Sequence, residues 1–174
     1  SLTLEVTRYA ELALNPRRAD QAHPAVAKLF LETEALVSPP ALLCRRRPRA
    51  RDQQPVWALH VLAGPATSAP AALERVEYET DRARFLGRGR SAADPAALES
   101  GAVLSGTVGP VLDPIFSLRQ RVRVEPGASA VLAFTTAAPE ARDQALGLAA
   151  RFGSLEAVDR VFEEAAAREA ARLA

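Results

Sequence analysis

The chain has 174 residues, 48% of them hydrophobic and only 5% aromatic, enough for one sizeable core filled mainly by Leu, Val and Ala. Its 22 basic residues, all arginines except Lys28, against 21 acidic ones leave a net charge of +1, too weak a field to concentrate a nucleic acid. A single cysteine excludes an internal disulfide framework and fits a reducing compartment, and no apolar run approaches the ~18 residues of a membrane-spanning helix.

Residues 2–14 alternate Leu2, Leu4, Val6, Ala10, Leu12 and Leu14 with mostly polar residues, interrupted on the apolar face only by Arg8, which is the period of a long half-buried strand. With no methionine at position 1 and no charged-then-apolar leader, the chain is expected to be an interior fragment of a longer polypeptide. The turn formers between Asn15 and Pro24 predict a loop. His23 in that loop and His60 further on have no second ligand at metal spacing, so both read as structural and no metal is expected. Residues 26–37 predict a second strand with Leu29 and Leu31 on one face and Phe30, Glu32 and Glu34 on the other. Glycosidase carboxylates flank a bond ~5–9.5 Å apart, whereas Glu32 and Glu34 would lie side by side on one surface, so a solvated face is favoured over an acid/base pair.

After the Ser38-Pro-Pro turn, residues 42–47 predict a third strand, in which Cys44 reads as a buried structural thiol rather than a nucleophile. The arginine cluster from Arg45 to Arg51 could serve an anionic partner. Without stacking aromatics it reads instead as a solvated strand end and loop. A polar loop at 49–55 leads to an apolar strand at 56–63, where Trp57 is either a core anchor or a platform for the apolar face of a sugar. Residues 64–70 predict a small-residue loop.

The stretch at 77–90 carries the most information. Val76, Tyr78 and Thr80 alternate with Glu77, Glu79 and Asp81 as in a strand, which then breaks at Gly87 and Gly89, where positive φ is accessible. Asp81 and Arg82 would face opposite sides of that strand, with Asp81 organising the glycine loop by accepting its N–H groups. A dinucleotide or phosphate cradle is excluded, because the fingerprint needs three glycines opening a helix. Residues 91–101 predict a loop with one helical turn after Pro95, and 105–110 an irregular connection. Residues 115–125 predict a strand with Phe116, Leu118, Val122 and Val124 inward. Arg119, Arg121 and Arg123 would line its outer face, opposite Glu77, Glu79 and Asp81 if the strands are neighbours. Pro126-Gly127 predicts a hairpin to a strand at 129–136, burying Val131 and Phe134. Two helices are expected at the end, one over 139–152 and one capped by Ser154, with Leu155, Val158, Phe162, Ala165 and Ala166 in a stripe. The order predicts an antiparallel β-sandwich over 1–138 and a helical tail over 139–174.

Tyr78-Glu-Thr-Asp-Arg-Ala-Arg-Phe-Leu-Gly-Arg-Gly-Arg90 and Leu104-Ser-Gly-Thr-Val-Gly-Pro-Val-Leu-Asp-Pro-Ile-Phe-Ser-Leu-Arg119 resemble the cyclic β-1,2-glucan synthase family. More distantly they resemble the cellobiose-phosphorylase-like glycoside phosphorylases. Ala41 to Arg49, Trp57 to Leu62 and Val124 to Ala130 extend the resemblance over nearly the whole chain. It implies a galactose-mutarotase-like supersandwich preceding an (α/α)6 barrel that carries the catalytic acid. The fragment would then hold no catalytic residue, metal site or cofactor. β-1,2-Glucan or a related oligosaccharide would be met through the parent, a glycosyltransferase or glycoside phosphorylase. Arg82, Arg88, Arg90 and Trp57 are the candidate substrate contacts, with Asp81, Gly87 and Gly89 as the structural motif. The implied location is cytoplasmic for this domain, which leaves open an inner-membrane-associated parent. A free-standing carbohydrate-binding module is the alternative, and a nucleic-acid binder resting on Arg45 to Arg51 is the weakest reading.

Overall fold

The computed structural model describes residues 1–51, 53–67 and 75–173. Its strands are β1 (Leu2–Glu11), β2 (Leu31–Leu36), β3 (Ala41–Arg46), β4 (Val56–Thr67), β5 (Glu77–Asp81), β6 (Pro114–Val124) and β7 (Ala130–Ala137). The α-helices are α1 (Arg17–Ala22), α2 (Pro24–Lys28), α3 (Arg82–Leu86), α4 (Arg142–Phe152) and α5 (Leu155–Leu173). Among the described residues the strands form two antiparallel sheets, one in the order β1-β6-β5 and one in the order β2-β3-β4-β7. The fold is mainly β with two C-terminal helices, as the residue patterns predict.

Alternation sends Leu42 and Cys44 of β3 inward, where they meet Leu31, Ala58, Leu62, Phe116 and Leu118 in the core between the sheets. The intervening Ala41 and Leu43 point outward, yet they are buried too. With Trp57, Leu59 and Val61 they form a second core under Ala145 and Ala149 of α4. Along β3 and the first part of β4 the sheet is covered on both faces, which explains why those two strands read as nearly continuous apolar runs. The end of α4 is seated tightly: a Cβ on Gly153 would lie 2.4 Å from Cβ of Pro39, so a glycine is required there.

Several expectations are corrected. The predicted loop at 15–24 contains α1, and the predicted strand at 26–37 is reduced to β2, because Pro24 at the first position of α2 starts a helix. β1 stops at Glu11, and Leu2 and Leu4 on its apolar face remain largely exposed. β4 runs on through the predicted loop at 64–70 as far as Thr67, with a register shift between Ala63 and Ala66 that accommodates Gly64 and Pro65. Residues 68–70 of that predicted loop lie outside the described residues.

No hairpin joins β6 to β7. Both sides of β6 are occupied, by β1 and β5, so the turn at 126–127 carries the chain across to the other sheet, where β7 pairs with β4. Val131 is 54% exposed. Val131 and Phe134 are an odd number of residues apart and cannot both face inward from one regular strand; Phe134 packs against the core, half-buried. Val124 is also only half-buried. α4 begins at Arg142 rather than at 139, and along α5 the apolar stripe is half-buried at Leu155 and Val158 but exposed from Phe162 onward.

The largest correction concerns Arg119, predicted on a solvated face and found fully buried. Its Nε donates to Thr7 Oγ1 at 2.9 Å and its Nη1 to the Ala102 carbonyl at 2.7 Å, while Nη2 donates to the Ala97 carbonyl. Glu77 and Glu5 stand 3.6 Å and 3.8 Å away. The segment carrying Ala97 and Ala102 lies over this face, and the two carboxylates and two carbonyls compensate the buried charge.

Candidate functional site

β5 ends in an anchored turn. Its register against β6 slips between Glu79 and Asp81, and the Glu79 carboxylate fills the irregularity. It accepts the backbone N–H groups of Thr80 and Asp81, both at 2.9 Å, and the Ser105 hydroxyl. Asp81 then caps α3 by accepting the Ala83 N–H at 2.8 Å, so the strand becomes a helix at Arg82. Asp81 therefore organises a helix start rather than the glycine loop, and Arg82 is helical rather than extended.

α3 buries Phe85 and Leu86 against Ala97, Leu104 and Ile115, with the Phe85 ring 4.8 Å from that of Tyr9. Gly87 ends the helix at φ 82° and ψ 161°, a conformation essentially reserved for glycine, and a Cβ there would lie 2.7 Å from Cβ of Ala96. Gly89 also has positive φ, at 74°. The two glycines thus take the conformations predicted for them.

The candidate arginines fall into three different environments. Arg82 Nε donates to Glu11 Oε1 at 2.9 Å and its Nη1 lies 3.6 Å from Asp113, which also pairs with Lys28 at 2.5 Å. Tyr9 donates to the same Glu11 oxygen at 2.8 Å. These hydrogen bonds, from Tyr9 first and then Arg82, hold the Glu11 carboxyl below its ordinary range, while burial and the carboxylate push Tyr9 up. Arg90 is clamped to the acidic segment that follows, 2.6 Å from Glu99 and 3.8 Å from Asp94. Arg88 lies between the two glycines, exposed and, among the described residues, with no hydrogen-bonding or ion-pair partner.

Trp57 is elsewhere, 8% exposed in the core beneath α4 with the Arg45 guanidinium 5.9 Å above its ring. The structure therefore does not bring the four candidate contacts together in one site. The arginine cluster is largely spent inside the protein. Arg45 and Arg47 pair with Glu32, Arg46 donates to the Leu14 carbonyl, and Arg49 donates to the Val26 carbonyl over the Phe30 ring. Glu34 is gripped by Arg142. Cys44 is buried and its thiol pushed up to about 12 by desolvation. His60 is also buried, and burial lowers it to about 4. No group of three or more His, Cys, Asp or Glu side chains among the described residues could hold a metal. No described helix is long and apolar enough to cross a membrane.

A family model, the supersandwich domain of glycosyl hydrolase 94, matches residues 1–155. The chain belongs to this family. Its match takes in both sheets and α4, the helix that covers the second sheet. The chain is also 41% identical over 138 residues to the cyclic β-(1,2)-glucan synthase NdvB of Rhizobium meliloti (strain 1021). That match covers 79% of this chain but 5% of the synthase, so the supersandwich spans a small part of that relative. Glu79 and Arg119, the two buried charges on which the motif region is built, were not legible as such. Strand alternation assigns both to a solvated face, and only the three-dimensional course of the segments around Ala97, Ala102 and Ser105 covers them.

Proposed function

We propose that this supersandwich is a non-catalytic domain of an enzyme that makes cyclic β-1,2-glucan, and that it supports substrate handling by a helical barrel elsewhere in the parent chain. The identity of 41% with a protein named for that synthesis carries the reading. The carboxylate chemistry agrees with it. An acid catalyst has to hold a proton near neutral pH, yet Glu11 is held below its ordinary range, and Glu32 and Glu34 lie side by side on one strand face, each ion-paired to an arginine, instead of flanking a cleft. A lone thiol, Cys44, accords with a reducing, cytoplasmic location for the domain.

Within this reading the motif at 78–90 is a brace that presents one guanidinium. Arg88 is the contact with substrate or with the barrel, because its charge is unspent and its flanking backbone is held by the Gly87 seat and the Arg90 clamp. Arg82 and Arg90 hold the frame, and α5, which follows the helix packed on the sheet, leads from the sandwich toward the barrel. The test is steady-state glucan formation by the parent enzyme carrying Arg88→Ala or Arg90→Ala, alongside melting of the same variants. Arg88→Ala is expected to weaken substrate use at unchanged stability, and Arg90→Ala to lower stability. Wild-type kinetics in Arg88→Ala would leave the motif a purely structural role.

A further inference from the structure

On the outer face of the four-stranded sheet, next to the part α4 covers, a trough of about 210 Å3 is lined by Glu32, Glu34, Leu43, Arg45, Trp57 and Arg142. Strand register builds it. Glu32 stands opposite Arg45, which stands opposite Trp57, and Glu34 stands opposite Leu43. Arg142, the first residue of α4, forms the far wall and pairs with Glu34 at 2.5 Å, while Arg45 pairs with Glu32 at 2.5 Å. All four charged side chains remain 28–45% exposed.

We propose that this trough is a subsite for one neutral pyranose ring of a β-glucan chain, an inference that rests on the glucan-acting reading above. Its lining carries two carboxylates and two guanidiniums, each already in an ion pair, with Arg47 also 3.2 Å from Glu32 from outside the lining. A charged ligand would have to break an internal pair to enter, whereas a neutral polyol can add to both. A carboxylate offers about four acceptor positions and a guanidinium five donors, more than the ion pairs consume. Such planar, two-pronged groups suit neighbouring hydroxyls, while the edge of Trp57, 8% exposed, supplies the apolar surface of the floor for the C–H face of the ring, Leu43 beneath it being fully buried. The volume accommodates one ring rather than a run of them, and open access to water keeps the affinity weak, in the millimolar range.

The chain contains a single tryptophan, so its fluorescence reports on this trough. The Arg45 guanidinium over the ring couples the emission to any ligand that engages it. Titration of the 174-residue chain with a linear β-1,2-gluco-oligosaccharide is expected to give a saturable change. The affinity should fall at least about tenfold in a Glu34→Gln, Arg45→Gln double variant that retains the wild-type circular dichroism spectrum. Amide shifts of the wild-type chain on the same titration should cluster at the trough, a readout that holds even if the double variant fails to fold. No saturable change, equal affinity in the folded variant, or shifts clustered elsewhere would overturn the subsite. The two readings fail separately. A parent that makes β-1,2-glucan while the trough binds none refutes the subsite alone. A trough that binds while the parent makes none refutes the proposed enzyme.

Discussion

His60 makes the fold sensitive to mild acid. Its ring is fully buried between Phe116 and Phe134, with centroids 5.8 Å from each, and Nδ1 is 2.8 Å from Thr136 Oγ1 while Nε2 has no hydrogen-bond partner among the described residues. A protonated ring would need a second acceptor, which the described residues do not supply. Burial first, and the charge of Arg8 second, lower its pKa from 6.5 to about 4. Between those values the unfolded chain takes up a proton that the native protein refuses, so native stability falls as pH drops through 6.5 and levels off below about 4. At about 1.4 kcal/mol per pH unit the loss is about 2 kcal/mol at pH 5 and approaches 3 kcal/mol near pH 4. Urea unfolding at pH 7 and pH 5 should be compared for the wild type and for His60→Phe, which keeps an aromatic ring in the stack and leaves Thr136, an exposed residue, to water. Contributions from carboxylates are common to both proteins and cancel in the comparison. The wild type should lose about 2 kcal/mol more than the variant on going to pH 5. An equal loss in the two proteins would refute the argument.

Other outcomes follow from the same packing. Phe116→Ala should cost about 3–5 kcal/mol in urea unfolding, since the ring is enclosed. Val131→Ala, on the outer face, should stay within about 0.5 kcal/mol of the wild type. Asp81→Ala should cost about 0.5–2 kcal/mol through loss of the α3 cap, whereas Arg88→Ala, with no partner to lose among the described residues, should melt like the wild type. Cys44, pushed up to about 12 and buried, should resist thiol reagents at neutral pH in the folded protein and react fully once it is unfolded in urea.

Strand periodicity made β1, β3 and the first part of β4 legible: β3 and β4 lie between apolar layers, whereas β1 keeps the alternation although Leu2 and Leu4 stay exposed. It also gave the paired glycines and the turn after Pro95, where backbone chemistry is local. What it did not give depends on cover. Arg119 and Glu79 alternate like solvated residues and become buried only because the 91–107 segment folds back over them. The pairing of β6 with β7 was misassigned for a related reason, although Glu77 of β5 does stand opposite Arg119 as anticipated. A Pro-Gly turn announces a reversal of direction without stating whether the next strand stays in the same sheet. At the candidate site, the sequence placed Arg88 and Arg90 alike on a glycine loop, and only the positions of Glu99 and Asp94 separate the clamped arginine from the free one.

Purification of the parent chain, with product linkage analysis, tests the central claim most directly when the isolated 174-residue domain is assayed beside it. The parent should form β-1,2-linked glucan and the domain alone should form none. Turnover by the isolated domain, or a parent whose product lacks β-1,2 linkages, would contradict the account.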